Sequence, residues 1–134
     1  MTSIILHSII MEIKMGELLI IFIWLMLKHT IADYLLQRPW KDKGIYGSRG
    51  GLIHAAHHVG GAFIVLMFYV SFPLAVLLSV LDGVLHYHID FAKNNIKRIF
   101  KLNNTQTLYW GLHGLDQYLH VLTYILIIWI LYGN

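Results

Sequence analysis

The sequence predicts an all-α integral membrane protein, a four-helix transmembrane bundle with both termini outside and a polar His/Asp site in its cytoplasmic half. Three observations predict it. Hydrophobic residues make up 57% of the 134-residue chain and charged ones 13%, about half the charged share of an ordinary soluble domain; the mean hydropathy is +0.63. Four apolar segments, each near the roughly 20 residues that cross a bilayer core, are joined through two basic connections. Histidine and aspartate recur at helical spacing at one end of every segment.

The elements follow in order. Residues 1–15 lack the basic start of a signal peptide. They read as an N-terminal extension, an interfacial helix or an outward continuation of the first span, with Met11 and Met15 as alternative starts, and His7 is given no role. The transmembrane domain covers 16–134, with spans at about 16–37, 52–70, 73–92 and 108–132. Residues 38–51 carry Arg38, Lys41, Lys43 and Arg49 among a proline and four glycines, a loop composition. Residues 93–107 carry Lys93, Lys97, Arg98 and Lys101 interleaved with Ile96, Ile99, Phe100 and Leu102, so part of that loop reads as a short amphipathic helix on the membrane surface. Basic loops face the cytoplasm, which puts both termini of a multi-pass membrane protein outside. Their charges read as topology determinants and lipid headgroup contacts, not as a nucleic-acid surface. Trp40, Tyr46, Tyr109 and Trp110 read as interfacial belt residues, and Gly60, Gly61 and Gly83 as points of close helix approach. The chain has no cysteine, which excludes disulfides, thiolate metal ligands and a cysteine nucleophile.

Threaded through a bilayer in this way, the polar residues fall at one level. Residues four apart share a helix face: His29, Asp33 and Gln37 form one stripe, Asp82, His86 and Asp90 another below Ser79, and His113, Asp116, Gln117 and His120 a third. On the second span His54 pairs with His57 or His58, while His88 turns away from His86. Ionisable groups within a membrane helix are costly and mark function by default. Imidazole with carboxylate suits zinc, manganese or iron, and the donor number serves one or two ions. A structural zinc site of the finger type is disfavoured without thiolates.

The run His29-Thr-Ile-Ala-Asp33-Tyr34-Leu-Leu36-Gln37, followed by His54, Asp82-x-x-x-His86 and Asp116-Gln117-x-x-His120, resembles a family of small bacterial and phage membrane proteins of unknown function that open on H-x-x-x-D-[FY]-x-L-Q. The resemblance covers about residues 24–122. It extends distantly to small inner-membrane proteins labelled metal-dependent hydrolases, and implies a multi-pass protein of the bacterial inner membrane with metal-dependent chemistry.

The expected function is therefore a membrane-embedded metal-dependent hydrolase acting on a lipid or other amphiphilic substrate. Its metal ligands are expected among His29, His54, His58, Asp82, His86 and His120, with Asp33 or Asp116 as general base. Gln37, His57, Asp90, His113 and Gln117 are supporting or alternate ligands, and Lys28 and Lys93 would meet a phosphate or headgroup. Three other readings compete. His54-Ala-Ala-His57-His58 resembles one box of the di-iron lipid desaturases and hydroxylases, which carry several. Intramembrane Asp/His chains also serve metal-ion or proton transport, and a metal can simply brace an interaction protein. Four helices make a thin wall, which is compatible with a homo-oligomer.

Overall fold

A computed structural model describes residues 2–36 and 43–133, with side chains from Lys14 onward. Among the described residues every regular element is helical: α1 (Thr2–Thr30), α2 (Arg49–Leu66), α3 (Phe72–Ile99) and α4 (Thr107–Tyr132). The extension at 2–15 runs without a break into the first span. At its far end α1 widens into a π-helical turn, Ile31–Leu35, closed by the Leu36 N–H donating to Ile31 O at 3.0 Å. Such turns insert one residue and re-aim side chains, and this one carries Asp33.

Three helical stretches are long and apolar enough to cross a membrane: Lys14–Leu35, Phe72–Ile99 and Thr107–Tyr132. This is the signature of a membrane protein. The second expected span stands apart, because Arg49, three histidines and four glycines dilute the 18 residues of α2.

Boundaries differ from the sequence reading for local reasons. α2 starts at Arg49 because Ser48 Oγ accepts the Gly51 N–H at 3.2 Å, a side-chain N-cap. α3 does not stop at residue 92: Lys93, Lys97 and Arg98 lie on its last turns, where their charge complements the helix dipole. Lys101, at φ 49°, then turns the chain, with Leu102 N–H on Lys97 O at 2.9 Å and Lys101 N–H on Arg98 O at 3.3 Å. That pair of bonds is a Schellman ending, so the expected surface helix is instead the tail of α3.

The bundle has two cores. Ile21 and Leu25 of α1, Ala62 and Leu66 of α2, Ala75 and Leu78 of α3, and Tyr124 and Ile127 of α4 bury one another at one end. The buried histidines, aspartates and lysines fill the other. α2 and α3 approach closely at Gly83, where a Cβ would run into Val59 and the Ala55 carbonyl. The outward faces are apolar, with Leu19, Ile23, Trp24, Phe72, Leu77 and Trp129 exposed, as hydrocarbon surroundings require.

Candidate metal centre

Four elements deliver the polar core. The end of α1 and its π turn supply Lys28, His29 and Asp33; α2 supplies His54 and His58; α3 supplies Asp82, His86 and Asp90; α4 supplies Asp116 and His120. Nearly all are buried, and the Asp33 side chain is 8% exposed.

The imidazoles gather around one carboxylate. Asp33 Oδ1 lies 3.0 Å from His58 Nε2, 3.1 Å from His54 Nε2 and 3.5 Å from His86 Nε2. His54 Nε2 and His86 Nε2 are 3.0 Å apart, and Asp90 Oδ2 lies 3.5 Å from the first and 3.7 Å from the second. A tetrahedral zinc with ligands at about 2.0–2.1 Å holds its donor atoms about 3.3 Å from one another, so these separations, which are also ordinary hydrogen-bond and ion-pair distances, are ones that a coordination shell could use. Without an ion, the His54–His86 contact is a hydrogen bond in which one ring donates and the other accepts. A bound ion would instead need both nitrogens deprotonated toward it. Three groupings of donors lie within ligand range: His29, Asp33, His58 and His86; His54, His86 and Asp90; and Asp90, Asp116 and His120. They form a chain through the shared His86 and Asp90. The rings stack along it, His58 on His86 at 3.4 Å and His86 on His120 at 4.0 Å.

Lysines interleave with the aspartates. Lys28 forms a buried ion pair with Asp82, and its Nζ is 3.2 Å from His58 Nδ1. Asp82, expected as a ligand, thus stands with Lys28 and outside the three groupings; Lys28, expected at a headgroup, points inward. Lys93 bridges Asp90 Oδ1 at 2.6 Å and Asp116 Oδ2 at 2.8 Å. Lys43 reaches Asp90 Oδ2 at 3.2 Å. Burial draws its ammonium below the ordinary lysine range, and the Asp90 charge pulls it back upward.

The remaining expected residues divide. Gln117 is central: its Oε1 accepts from His29 Nε2 at 3.1 Å, and its Nε2 donates to Asp116 Oδ2 at 3.1 Å. His113 lies beside Trp110, with ring centres 6.3 Å apart, and outside the groupings. His57 faces the α1–α2 side, away from its neighbour His58. His88 is exposed and hydrogen-bonds Tyr46. Gln37 and Trp40 fall outside the described residues.

Two members were not singled out by the sequence. The Tyr124 hydroxyl meets His29 Nδ1 at 2.9 Å. Its position four residues after His120 places it on the same face, a signal available in the spacing. Lys43 carried none, because it sits in a loop whose charges read as topology determinants. That loop is pinned to α3 where the Gly47 N–H donates to Tyr87 Oη at 2.6 Å.

Among the described residues, several buried polar atoms have no hydrogen-bond partner: His54 Nδ1, His57 Nδ1, His86 Nδ1, Asp116 Oδ1 and His120 Nε2. The last two lie 3.5 Å apart and face one another.

A family model described as a protein of unknown function, DUF3307, matches residues 21–134, and the chain belongs to that family. No curated protein and no solved structure matches it.

Proposed function

Within that family of unknown function, we propose that this chain is a membrane-embedded metal-dependent hydrolase that holds one divalent ion and acts on a lipid or other amphiphile. The observation that carries the reading is the convergence of the His54, His58 and His86 Nε2 atoms within 3.0–3.5 Å of Asp33 Oδ1, with His29, Asp33, His58 and His86 forming one grouping within ligand range, inside a bundle of apolar exterior. Zinc fits an all-nitrogen-and-oxygen, four-donor set best; manganese and iron accept the same donors. One ion is favoured over two because the Lys93 ammonium already stands between Asp90 and Asp116, where a second cation would be repelled. The same feature weighs against the di-iron oxygenase.

An ion bound there would supply an activated water at neutral pH and polarise the bond under attack. The protein's own groups do the rest. Asp116 Oδ1 and His120 Nε2, buried and facing one another, can take and return a proton. Gln117 links His29 to Asp116 and keeps their orientation. A groove of about 290 Å³ between α3 and α4, lined by Leu85, Ile89, Leu112 and Leu119, opens on Lys93 and Asp116. It would admit an apolar substrate with its polar group toward the lysine. Lys43, Arg49, Lys97, Arg98 and Lys101 flank the polar ends of the helices in sequence, so the positive-inside rule supports a site on the cytoplasmic side of the membrane, a bacterial inner membrane in this reading.

The test is turnover. Protein reconstituted with a mixture of bacterial lipids releases a cleaved product by mass spectrometry, stops with chelator, resumes with zinc, and is crippled by Asp116→Asn. Metal-loaded protein that cleaves no amphiphile would sink the hydrolase. A metal-free reading is favoured by one observation: Lys28 and Lys93 already pair with aspartates, as in a proton-handling network. Proton flux in liposomes without bound metal would support it.

A further inference from the structure

Five imidazoles of the polar interior lie within ligand range by distance, but the direction of their hydrogen bonds separates them. A neutral imidazole carries its hydrogen on one nitrogen and a lone pair on the other, and only the lone pair can hold an ion. The partners around each ring therefore decide which nitrogens are open. His58 is closed on both sides. Its Nδ1 lies 3.2 Å from Lys28 Nζ, and an ammonium has three hydrogens to give and no lone pair to offer, so Nδ1 accepts. The ring hydrogen then sits on Nε2, which donates to Asp33 Oδ1 at 3.0 Å. A group that only donates on one nitrogen and a carboxylate that only accepts on the other call for the same tautomer.

Lys28 is held in this pose from several directions. It is buried, and its methylenes run beside Gly61, where a Cβ would lie 3.3 Å from Lys28 Cδ. The same ammonium pairs with Asp82 and lies 5.0 Å from the centre of the Tyr124 ring. His29 is closed in a similar way, with Nε2 on Gln117 Oε1 at 3.1 Å and Nδ1 on the Tyr124 hydroxyl at 2.9 Å. His54 and His86 differ. Their Nε2 atoms and Asp33 Oδ1 all lie within 3.0–3.5 Å of one another, and neither Nδ1 has a hydrogen-bond partner. In these two rings no donor opposes a hydrogen on Nδ1, the tautomer that frees Nε2 for an ion. Asp90 Oδ2, at 3.5 and 3.7 Å from the same two nitrogens, completes a set of four donors.

We infer that Lys28 is a positioning residue: it locks the His58 hydrogen on Nε2, so that His58 steadies the Asp33 carboxylate instead of ligating, and the ion falls to Asp33, His54 and His86. An imidazole that donates to a ligating carboxylate fixes that carboxylate's orientation. The ion's place in this inference rests on the metal reading above, whereas the lock on His58 needs no ion.

The test is nuclear magnetic resonance of the full chain, labelled with nitrogen-15 in its histidines and held in lipid nanodiscs. The one-bond nitrogen–hydrogen coupling shows which ring nitrogen carries the hydrogen, and His58→Gln identifies the His58 signals by their loss. Spectra are taken after chelation and after zinc loading, with bound zinc measured on the same samples. Wild-type His58 keeps its hydrogen on Nε2 in both states, and His58→Gln, whose amide can still donate to Asp33, keeps the zinc. Lys28→Gln releases the lock, because an amide oxygen can accept from Nδ1; with zinc bound, the His58 hydrogen moves to Nδ1. Lys28→Met/Asp82→Leu gives the same shift without stranding a charge, should Lys28→Gln fold poorly. A wild-type hydrogen on Nδ1 in either state, zinc lost in a folded His58→Gln, or a hydrogen that stays on Nε2 in both zinc-loaded Lys28 variants overturns the inference. Protein that takes up no zinc ends the metal reading alone, and the chelated wild-type spectrum still decides the lock.

Discussion

The same four helices close over two interiors of opposite chemistry. Toward one end Ile21, Leu25, Leu66, Leu78 and Ile127 pack as hydrocarbon. Toward the other, four aspartates, five histidines and two lysines are buried together, with Lys93 part-buried beside them. In a bilayer the first interior gains little from excluding water and depends on close packing. The second depends on every charge having its counterpart, since an uncompensated ion in a dry interior costs several kcal/mol. Tyr124 joins them: its ring belongs to the apolar cluster and its hydroxyl reaches His29. The difference teaches that the apolar end can vary by volume while the polar end can vary only by pairs.

The sharpest way to break that contrast is Asp82→Ala. It strands the Lys28 ammonium, and the expected loss is about 3–5 kcal/mol, measured by unfolding in detergent. The double change Lys28→Met/Asp82→Leu removes both charges and should recover most of it; a double variant as unstable as the single would mean that charge pairing is not what matters there. Leu78→Ala, in the apolar interior, is expected to cost about 2–5 kcal/mol and to leave bound metal untouched. Metal lost together with Leu78 would show that the two interiors are not separable. Tyr124→Phe probes the seam. It deletes one hydrogen bond to His29 and should cost only about 0.5–1.5 kcal/mol, with packing unchanged in the near-ultraviolet spectrum.

Much of this arrangement was legible from spacing. Asp82, His86 and Asp90 share one buried face because residues four apart do so on any α-helix, and the stripe carrying Asp116 and His120 follows the same rule. What spacing could not show is which groups meet across helices. Asp82 was read as a ligand, yet the partner that takes it, Lys28, lies 54 residues away and was read as meeting a phosphate or headgroup. Lys43 was hidden for the same reason, since its route to Asp90 depends on how a glycine-rich loop folds against Tyr87. Spacing let His54 pair with either His57 or His58, and the placement of α2 turns His58, the expected ligand, toward the cluster and His57, the expected alternate, to the α1–α2 side. The end of α3 was missed because a run of basic residues resembles a loop, although Lys93 ion pairs and the Asn94 and Asn95 side chains, donating to the carbonyls four residues back, accompany the helix there.

The central claim is that the polar interior is a metal centre, and elemental analysis of detergent-purified protein tests it most directly. Chelator-free wild-type protein should carry about one divalent ion per chain, and a His54→Ala/His86→Ala variant that remains folded should carry none. Wild-type protein without any bound metal, or a variant that keeps it, would contradict the claim and leave the cluster as a hydrogen-bonded network.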